Sequence, residues 1–224
     1  MSVKYSSITK KIWMSLMGLF LMVFLVVHLS INLLLLVDPT RELFNTAAHF
    51  MGTNPFIQTF QWVLFLGFTI HIILGFVLQI QNWIARPKGY KVKATSEDSF
   101  FSKYMIHTGV IILIFLGIHF VNFFFRVKIF HTVPDFILNG VNTGMEDMGI
   151  VVVELFQNPS YVIGYVIALI ILGFHLDHGF QSAWQSIGVN NSKYTPFLKG
   201  FGHLYAIFIP LGFIAIPVVI YLTT

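Results

Sequence analysis

Residues 12–37 read IWMSLMGLFLMVFLVVHLSINLLLLV, a run of 26 residues without Asp, Glu, Lys or Arg. A helix of about 20 apolar residues crosses the hydrocarbon core of a bilayer. The run therefore predicts a membrane-spanning helix. Lys4, Lys10 and Lys11 precede this run, as basic residues precede the apolar core of a signal peptide. Its length and the lack of a small-residue cleavage site behind it favour a retained first span instead.

The composition of the whole chain extends this interpretation. Of the 224 residues, 56% are hydrophobic and 10% are charged, and the mean hydropathy is +0.80. A soluble domain carries about 25% charged residues, so the composition excludes a water-soluble domain. The chain has no cysteine, which excludes disulfides, thiolate metal sites, iron–sulfur clusters held by this chain and covalently attached c-type haem.

Four further apolar stretches have the length of a membrane span. Among Asp, Glu, Lys and Arg, Asp177 is the one residue that falls within any of the five stretches. We predict an all-α integral membrane protein with a single domain over residues 1–224, in which the long connection 128–154 covers the outer face. The five predicted spans are about 12–37, 55–85, 104–125, 155–187 and 200–222.

Basic residues are distributed unevenly between the two ends of the predicted spans. The N-terminal tail and the loops after the second and fourth spans carry ten Lys and Arg, and the opposite side carries three. The positive-inside rule then puts the N-terminus in the cytoplasm and the C-terminus outside. The net charge of +4 reflects this topology and requires no nucleic-acid partner.

The histidines within the predicted spans are the most informative polar residues. An ionisable side chain in hydrocarbon is costly, and it indicates a functional site by default. A single histidine could simply hydrogen-bond neighbouring helices, but here each of the first four spans carries at least one. The five histidines are His28, His71, His119, His175 and His178.

Four of these histidines fall at two matched depths. His28 and His119 lie 17 and 16 residues after the last lysine before their spans, about 24–26 Å from the inner side. His71 and His175 each lie 16 residues after the proline that begins their spans, about 24 Å from the outer side. In an antiparallel four-helix bundle the first and third spans form one diagonal, and the second and fourth form the other. We therefore predict two b-type haems, each with two axial histidines.

His178 is the alternative ligand on the fourth span, because it lies three residues after His175 and faces a similar direction. The depth of His175, and a glycine four residues after it, match those of His71, which favours His175. Asp177 has two interpretations that the sequence leaves open. It could form an ion pair or hydrogen bond near a haem, or it could serve as a proton-relay or quinone group.

The first four spans carry short motifs around their histidines. These motifs are Ser15–Gly18, His28–Asn32, His71–Gly75, His119–Asn122 and Phe174–Ser182. Together they resemble a known family, the cytochrome b membrane anchor of succinate dehydrogenases and fumarate reductases in its single-chain, five-helix, two-haem form. The resemblance runs from about residue 15 to the end of the chain. It implies that His28 and His119 hold the outer haem, and that His71 and His175 hold the inner one.

The resemblance also implies partners and a location. Such an anchor binds an iron–sulfur subunit on the cytoplasmic side of the bacterial inner membrane, and that subunit binds an FAD flavoprotein. The flavoprotein interconverts succinate and fumarate, so this chain would not itself catalyse that reaction. Electrons would pass between the iron–sulfur subunit and a membrane quinone, with menaquinone the expected one. The basic loop 86–103 would form part of the docking face, and the whole complex could dimerise.

The resemblance suggests further site residues. Some members of the family handle protons with a glutamate near the outer start of the second span. This makes Glu42 a second candidate for the quinone site, in addition to Asp177. Polar groups near inner helix ends would bind the haem propionates. These candidates are Ser15, Lys11, Arg86, His107 and Trp184.

Two other functions are compatible with parts of the pattern. One is the di-haem anchor of another respiratory complex, of the nitrate reductase or hydrogenase type. The other is a proton-coupled transporter that uses the histidines and Asp177 as a proton pathway, with Pro210 and Pro217 breaking the fifth span. One histidine at matched depth on each of the first four spans favours the succinate dehydrogenase type.

Overall fold

The computed structural model describes residues 7–85, 98–189 and 191–224. The described chain is almost entirely helical, with one small β-hairpin. The helices are α1 (Ser7–Val37), α2 (Glu42–Thr53), α3 (Pro55–Ala85), α4 (Asp98–His119), α5 (Phe125–Lys128), α6 (Met148–Phe156), α7 (Pro159–Ser186) and α8 (Thr195–Thr223), with a π-helical segment at Phe120–Phe124 and strands β1 (Asp135–Leu138) and β2 (Val141–Glu146).

Five of these helical segments are long and apolar enough to cross a membrane, by length and composition. This confirms the predicted number of spans and the character of a multi-pass membrane protein. The third segment runs continuously from α4 through the π-helical segment and α5. The five segments are Ile8–Val37, Pro55–Ala85, Tyr104–Lys128, Pro159–Ser186 and Thr195–Thr223.

The fourth span begins later than the predicted residue 155. Helix α6 ends at Phe156, and α7 begins at Pro159. The Asn158 side chain caps α7 by accepting a hydrogen bond from the Ser160 backbone N–H at 2.9 Å. Proline suits a first helical turn because that turn needs no N–H donor. Gln157, Asn158 and Ser160 are polar, and Asn158-Pro159-Ser160 marks the start of the span in the sequence, four residues after the predicted bound.

Helix α8 is continuous through both of its prolines. Pro210 and Pro217 lie inside the helix, and both are buried. Membrane helices tolerate proline where neighbouring groups compensate the backbone. The break in the fifth span that the transporter alternative could have used does not occur.

Four of the long helices surround a central cavity, and α8 supports them from one side. Helix α1 packs against α3, α7 and α8, while α4 packs against α7. The α7–α8 contact is the most extensive in the described structure, and α3 and α4 approach each other only sparsely. The close α1–α3, α1–α7 and α4–α7 contacts leave α1 opposite α4, and α3 opposite α7.

The connection predicted to cover one face forms a compact cap. Strands β1 and β2 pair antiparallel through Asn139 and Gly140, which have φ angles of 52° and 80°. Positive φ at both central residues is the geometry of a two-residue type I′ hairpin turn. The hairpin, α2 and α6 lie together at one end of the helices, which we call the hairpin end.

Buried polar contacts hold α2 to α6 at the hairpin end. The Arg41 guanidinium donates to the Asp147 carboxylate at 2.9 Å, and the fully buried Asn45 amide donates to the same carboxylate at 2.8 Å. Asn45 also accepts from the Gly149 N–H at 2.9 Å. Burial opposes ionisation of Asp147, but the hydrogen bonds from Arg41, Asn45 and Ile150 outweigh it and hold its pKa below the usual value.

Candidate functional site

A cavity of about 1230 Å³ runs between the long helices. Pockets for small molecules usually measure about 300–1,000 Å³, and protein interiors otherwise pack with few voids. A continuous space of this size inside an apolar bundle is large enough to hold a non-protein group. All five of the histidines predicted to lie within the membrane line it.

His28 on α1 and His119 on α4 face each other across this cavity. Their ring centroids are 5.8 Å apart, and the ring planes are inclined at 87°. Aromatic side chains surround the pair. Phe24 stacks on His28 at 5.3 Å, Phe213 of α8 lies 5.6 Å from His28, and Phe123 lies 5.1 Å from His119. The two imidazoles therefore meet in an apolar environment.

His71 on α3 and His175 on α7 form the second facing pair. Their centroids are 6.3 Å apart, with an interplanar angle of 69°. Each ring lies against a glycine of a neighbouring helix. A Cβ atom at Gly18 would lie 3.6 Å from His71 Cε1, and one at Gly109 would lie 3.5 Å from His175 Cε1. The two helices that carry the first pair thus provide the surfaces on which the second pair packs.

The two pairs lie at different levels of the bundle. His28 is nine residues before the end of α1 at the hairpin end, about 14 Å along the helix. His71 and His175 are 16 residues after the starts of α3 and α7 at the same end, about 24 Å along. The first pair is therefore nearer the hairpin end, and the second is nearer the opposite end.

The ring nitrogens differ in their hydrogen bonding. Nδ1 of His119 is buried without a hydrogen-bond partner among the described residues. Nδ1 of His71 is buried without a hydrogen bond of good geometry there, although His71 interacts with the backbone of Met14. Nδ1 of His175 lies 3.1 Å from Thr108 Oγ1, and Nδ1 of His28 lies 3.4 Å from Asn32 Nδ2. A buried nitrogen without a partner costs about 1–3 kcal/mol. Such groups are uncommon in native structures and need a physical reason.

The helix geometry changes directly after His119. Helix α4 ends there, and the next five residues form a π-helical segment. Asn122 of this segment donates to the Tyr165 hydroxyl of α7 at 3.1 Å, and the Tyr165 ring lies 6.4 Å from the His119 ring. Single π-helical turns occur frequently at functional sites. Sequence periodicity did not predict this segment.

Two further predicted residues line the cavity. His178 lines it one turn from His175, but the ring that faces His71 is that of His175. Ser15 also lines the cavity, although its hydroxyl donates to the Lys11 carbonyl of its own helix at 2.8 Å. Lys11 is itself a lining residue.

Other predicted residues do not line the cavity. Glu42 is exposed and begins α2, well before α3 starts. His107 is exposed, with its ring 5.8 Å from Tyr104. Trp184 has a buried Nε1 without a partner among the described residues. Arg86, like most of the loop 86–103, lies outside the described residues.

Asp177 faces α8 instead of the cavity. Its Oδ1 lies 2.6 Å from Nδ1 of His203, and it accepts a weaker hydrogen bond from the Gln181 amide at 3.3 Å. Of the two interpretations, the local geometry supports the ion pair or hydrogen bond. The sequence did not identify His203 as the partner, because 26 residues separate the two positions.

Polar residues that the sequence analysis missed line both ends of the cavity. At the hairpin end these are His49, Lys128 and Glu146, and at the opposite end they are Gln79, Asn82, Ser182, Gln185 and Ser186. A sequence signal was available for the second group. Those residues continue, at helical spacing of three or four, the faces of α3 and α7 that begin at His71 and His175.

No group of three or more His, Cys, Asp or Glu side chains gathers around a common point in the described residues. A haem iron takes four ligands from its own porphyrin ring, so it needs only two from the protein. Each facing pair offers two imidazoles, the number of protein ligands that a haem iron would take.

No protein-family model matches the chain, and neither a curated protein nor a solved structure matches it significantly. The chemistry of the site therefore rests on its own geometry and on the sequence motifs.

Proposed function

We propose that this chain is the di-haem b membrane anchor of a succinate:quinone oxidoreductase. The observation that carries the proposal is the pair of facing imidazoles repeated at two levels of one cavity, His28 with His119 and His71 with His175. Each pair is drawn from two different helices, as an axial ligand pair must be if it is to bind opposite faces of a flat ring.

The dimensions of both pairs fit a haem iron. A metal–nitrogen bond of about 2 Å and a ring radius of about 1 Å on each side would separate the centroids of two axial imidazoles by about 6 Å. The observed separations are 5.8 Å and 6.3 Å.

When bound, the two haems would supply reversible one-electron chemistry near the middle of the membrane. The residues of this chain would hold the imidazoles in place and keep water away. Phe24, Phe123 and Phe213 pack against the first pair, which lowers the local polarity. The polar residues at the end opposite the hairpin, including Gln79 and Ser182, would hydrogen-bond propionate carboxylates.

The chain would depend on other subunits for the remaining chemistry. It has no cysteine to hold an iron–sulfur cluster, so a separate iron–sulfur subunit would exchange electrons with it on the cytoplasmic side. That subunit would bind the FAD flavoprotein on which succinate and fumarate interconvert. The end opposite the hairpin, where Lys10, Lys11, Lys193 and Lys199 lie, has the positive charge expected of the cytoplasmic side of a bacterial inner-membrane protein.

The hairpin end would then face outward and bind the quinone, with menaquinone the expected one. Its cavity-lining residues His49, Lys128 and Glu146 carry groups that can exchange or hydrogen-bond a proton. Glu42 and Asp177 do not line the cavity, so these three residues are better candidates for the quinone carbonyls. Lys128 Nζ also donates to the Gly52 carbonyl at 3.4 Å, which links α5 to α2 at this opening.

A di-haem anchor of another respiratory complex has the same chemistry and different partners. Copurification separates the two. A flavoprotein with an iron–sulfur subunit supports the succinate dehydrogenase type, while a molybdenum or nickel subunit supports the alternative.

The first experiment is a reduced-minus-oxidised spectrum with a pyridine haemochrome assay on detergent-purified protein, produced with ample haem. We expect about two haem b per chain, with low-spin α and Soret bands. The His131→Ala variant, altered in an exposed loop, should retain both haems. Protein without haem under these conditions would refute the proposal and favour a transporter.

A further inference from the structure

Thr108 of α4 contacts the outward-facing nitrogen of a predicted haem ligand on another helix. Its Oγ1 lies 3.1 Å from His175 Nδ1 of α7. The same Oγ1 donates to the Met105 carbonyl, one turn earlier in α4, at 2.9 Å. The adjacent Gly109 lies beside the His175 ring, since a Cβ atom there would be in ordinary van der Waals contact with His175 Cε1 at 3.5 Å.

These two contacts define the direction of the hydrogen bond between Thr108 and His175. A threonine hydroxyl has one proton to donate and two lone pairs that accept. Because the proton is directed at the Met105 carbonyl, Oγ1 accepts from His175. This arrangement would place the His175 proton on Nδ1 and leave Nε2 of the neutral ring as the nitrogen with a free lone pair.

We propose that Thr108 is a positioning residue that fixes His175 in the Nδ1–H tautomer and orients its Nε2 toward a haem iron. The inference rests on the proposed function and goes beyond it by assigning a role to a residue that is not itself a ligand. A hydrogen-bond acceptor on the far nitrogen of an imidazole raises the basicity of the ligating nitrogen. A more basic ligand stabilises the oxidised iron and lowers its reduction potential.

The two ligands of the pair differ in their side-chain partners. No side chain among the described residues hydrogen-bonds His71 Nδ1, and His71 interacts instead with the backbone of Met14, so Thr108 is the side-chain partner on this pair. The partner of His175 comes from α4, a different transmembrane helix. The hydrogen bond therefore also couples the orientation of the ligand to the packing of α4 on α7.

The test is a potentiometric titration of the haem α band, with electron paramagnetic resonance of the oxidised state, on Thr108→Val and Thr108→Ser proteins. Valine keeps the shape but cannot accept a hydrogen bond. We expect both haems to be retained in Thr108→Val. The equilibrium constant for reduction of one haem should rise between about threefold and tenfold, the latter equal to about 59 mV for a one-electron couple. The g-values of the same haem should change.

Two controls make this result specific. Thr108→Ser keeps the hydroxyl and should leave both potentials unchanged. Thr69→Val removes a threonine on an exposed face outside the cavity, whose hydroxyl likewise donates to a carbonyl of its own helix, that of Phe65, at 2.8 Å. This substitution should also leave both haem potentials unchanged. The haem whose reduction potential shifts in Thr108→Val should be the haem that is lost from His71→Ala protein.

Three outcomes contradict the inference. Unshifted potentials and g-values in Thr108→Val would show that Thr108 only packs against the ring. An equal shift in Thr108→Ser would show that the methyl group, and not the hydroxyl, is responsible. Wild-type protein without two haem steps would overturn the proposed function together with the role of Thr108, so the two failures are distinguishable.

Discussion

The imidazole rings of His28 and His119 lie almost perpendicular to each other, with their centroids 5.8 Å apart, although 91 residues separate them in the sequence. Helices α1 and α4 bring them together from opposite sides of the cavity. His71 and His175 repeat this relationship about 10 Å further along the helices. Two equivalent pairs in one apolar space are difficult to explain as hydrogen-bonding pairs that merely join helices, since within each pair one Nδ1 makes no hydrogen bond of good geometry in the described structure.

The histidine pairs should lose haem independently. His28→Ala or His119→Ala should remove the haem nearer the hairpin end and leave about one haem per chain. His71→Ala or His175→Ala should remove the other. The reason is that each pair shares no ligand with the other. Pyridine haemochrome stoichiometry and the number of steps in a redox titration measure the outcome.

His178→Ala is the matched control for these substitutions, because His178 also lines the cavity without facing His71. It should retain both haems. Loss of both haems from any single substitution, in protein that still elutes as a single species in detergent, would contradict two independent sites.

The contact between Arg41 and Asp147 should contribute to stability in a pH-dependent way. Asp147 has a lowered pKa in the folded protein. Its stabilising contribution is therefore present above the unfolded pKa of about 4, and it is lost as the pH falls through the lower folded value. Asp147→Asn should lower the free energy of unfolding by about 1–3 kcal/mol at pH 7. It should also reduce the loss of stability below about pH 4.

Thermal unfolding in detergent at several pH values measures this effect, and hydrogen exchange in α6 locates it. Asp135→Asn, in the exposed hairpin, removes a similar carboxylate and should change stability by less than about 0.5 kcal/mol. If the two variants behave alike at every pH, the ion pair does not hold α2 to α6.

Gly202 should be required for the close packing of α8 on α7. A Cβ atom there would lie 2.6 Å from Cδ1 of Phe180. Phe180 is buried, and Trp184 and Tyr205 flank its ring, so the ring has little room to move. Gly202→Ala should destabilise the protein by about 1–3 kcal/mol, the usual cost of overpacking.

Gly164→Ala is the comparison for this prediction, since a Cβ atom at Gly164 in α7 would meet nothing within 4 Å. Alanine there should be neutral or stabilising by up to about 1 kcal/mol, because it is the better helix former. Melting temperatures in one detergent report both changes. Equal melting temperatures for the two variants would mean that α8 can shift away from Phe180.

Asp177 should matter for stability more than for electron transfer. Its carboxylate pairs with His203 of α8 and does not line the cavity. Asp177→Asn should therefore leave the haem content unchanged and keep quinone-dependent turnover of the assembled complex within about twofold. It should lower the free energy of unfolding by about 0.5–1 kcal/mol, as for other hydrogen bonds between membrane helices. A large loss of turnover with normal haem content would instead support the proton-relay interpretation.

The sequence by itself determined the number of spans and the levels of the histidines. Both depend on local properties, the length of an apolar run and the rise of a helix, so counting residues from the span ends gives the depth of His28 or His71 without a structure. Regular helical spacing also places Gln79 on the same face of α3 as His71, and Ser182 on the same face of α7 as His175. The sequence analysis did not identify these two residues, and the structure did.

The tertiary structure decided which side chains meet. Thr108 and His175 are 67 residues apart, Arg41 and Asp147 are 106 apart, and each contact depends on how two helices are rotated about their axes. The π-helical segment after His119 also escaped sequence analysis, because apolar composition continues across it. The start of α7 did not, because Asn158 and Pro159 mark it in the sequence. Periodicity describes one helix at a time, and the partners of a buried polar group are set by the packing of several helices together.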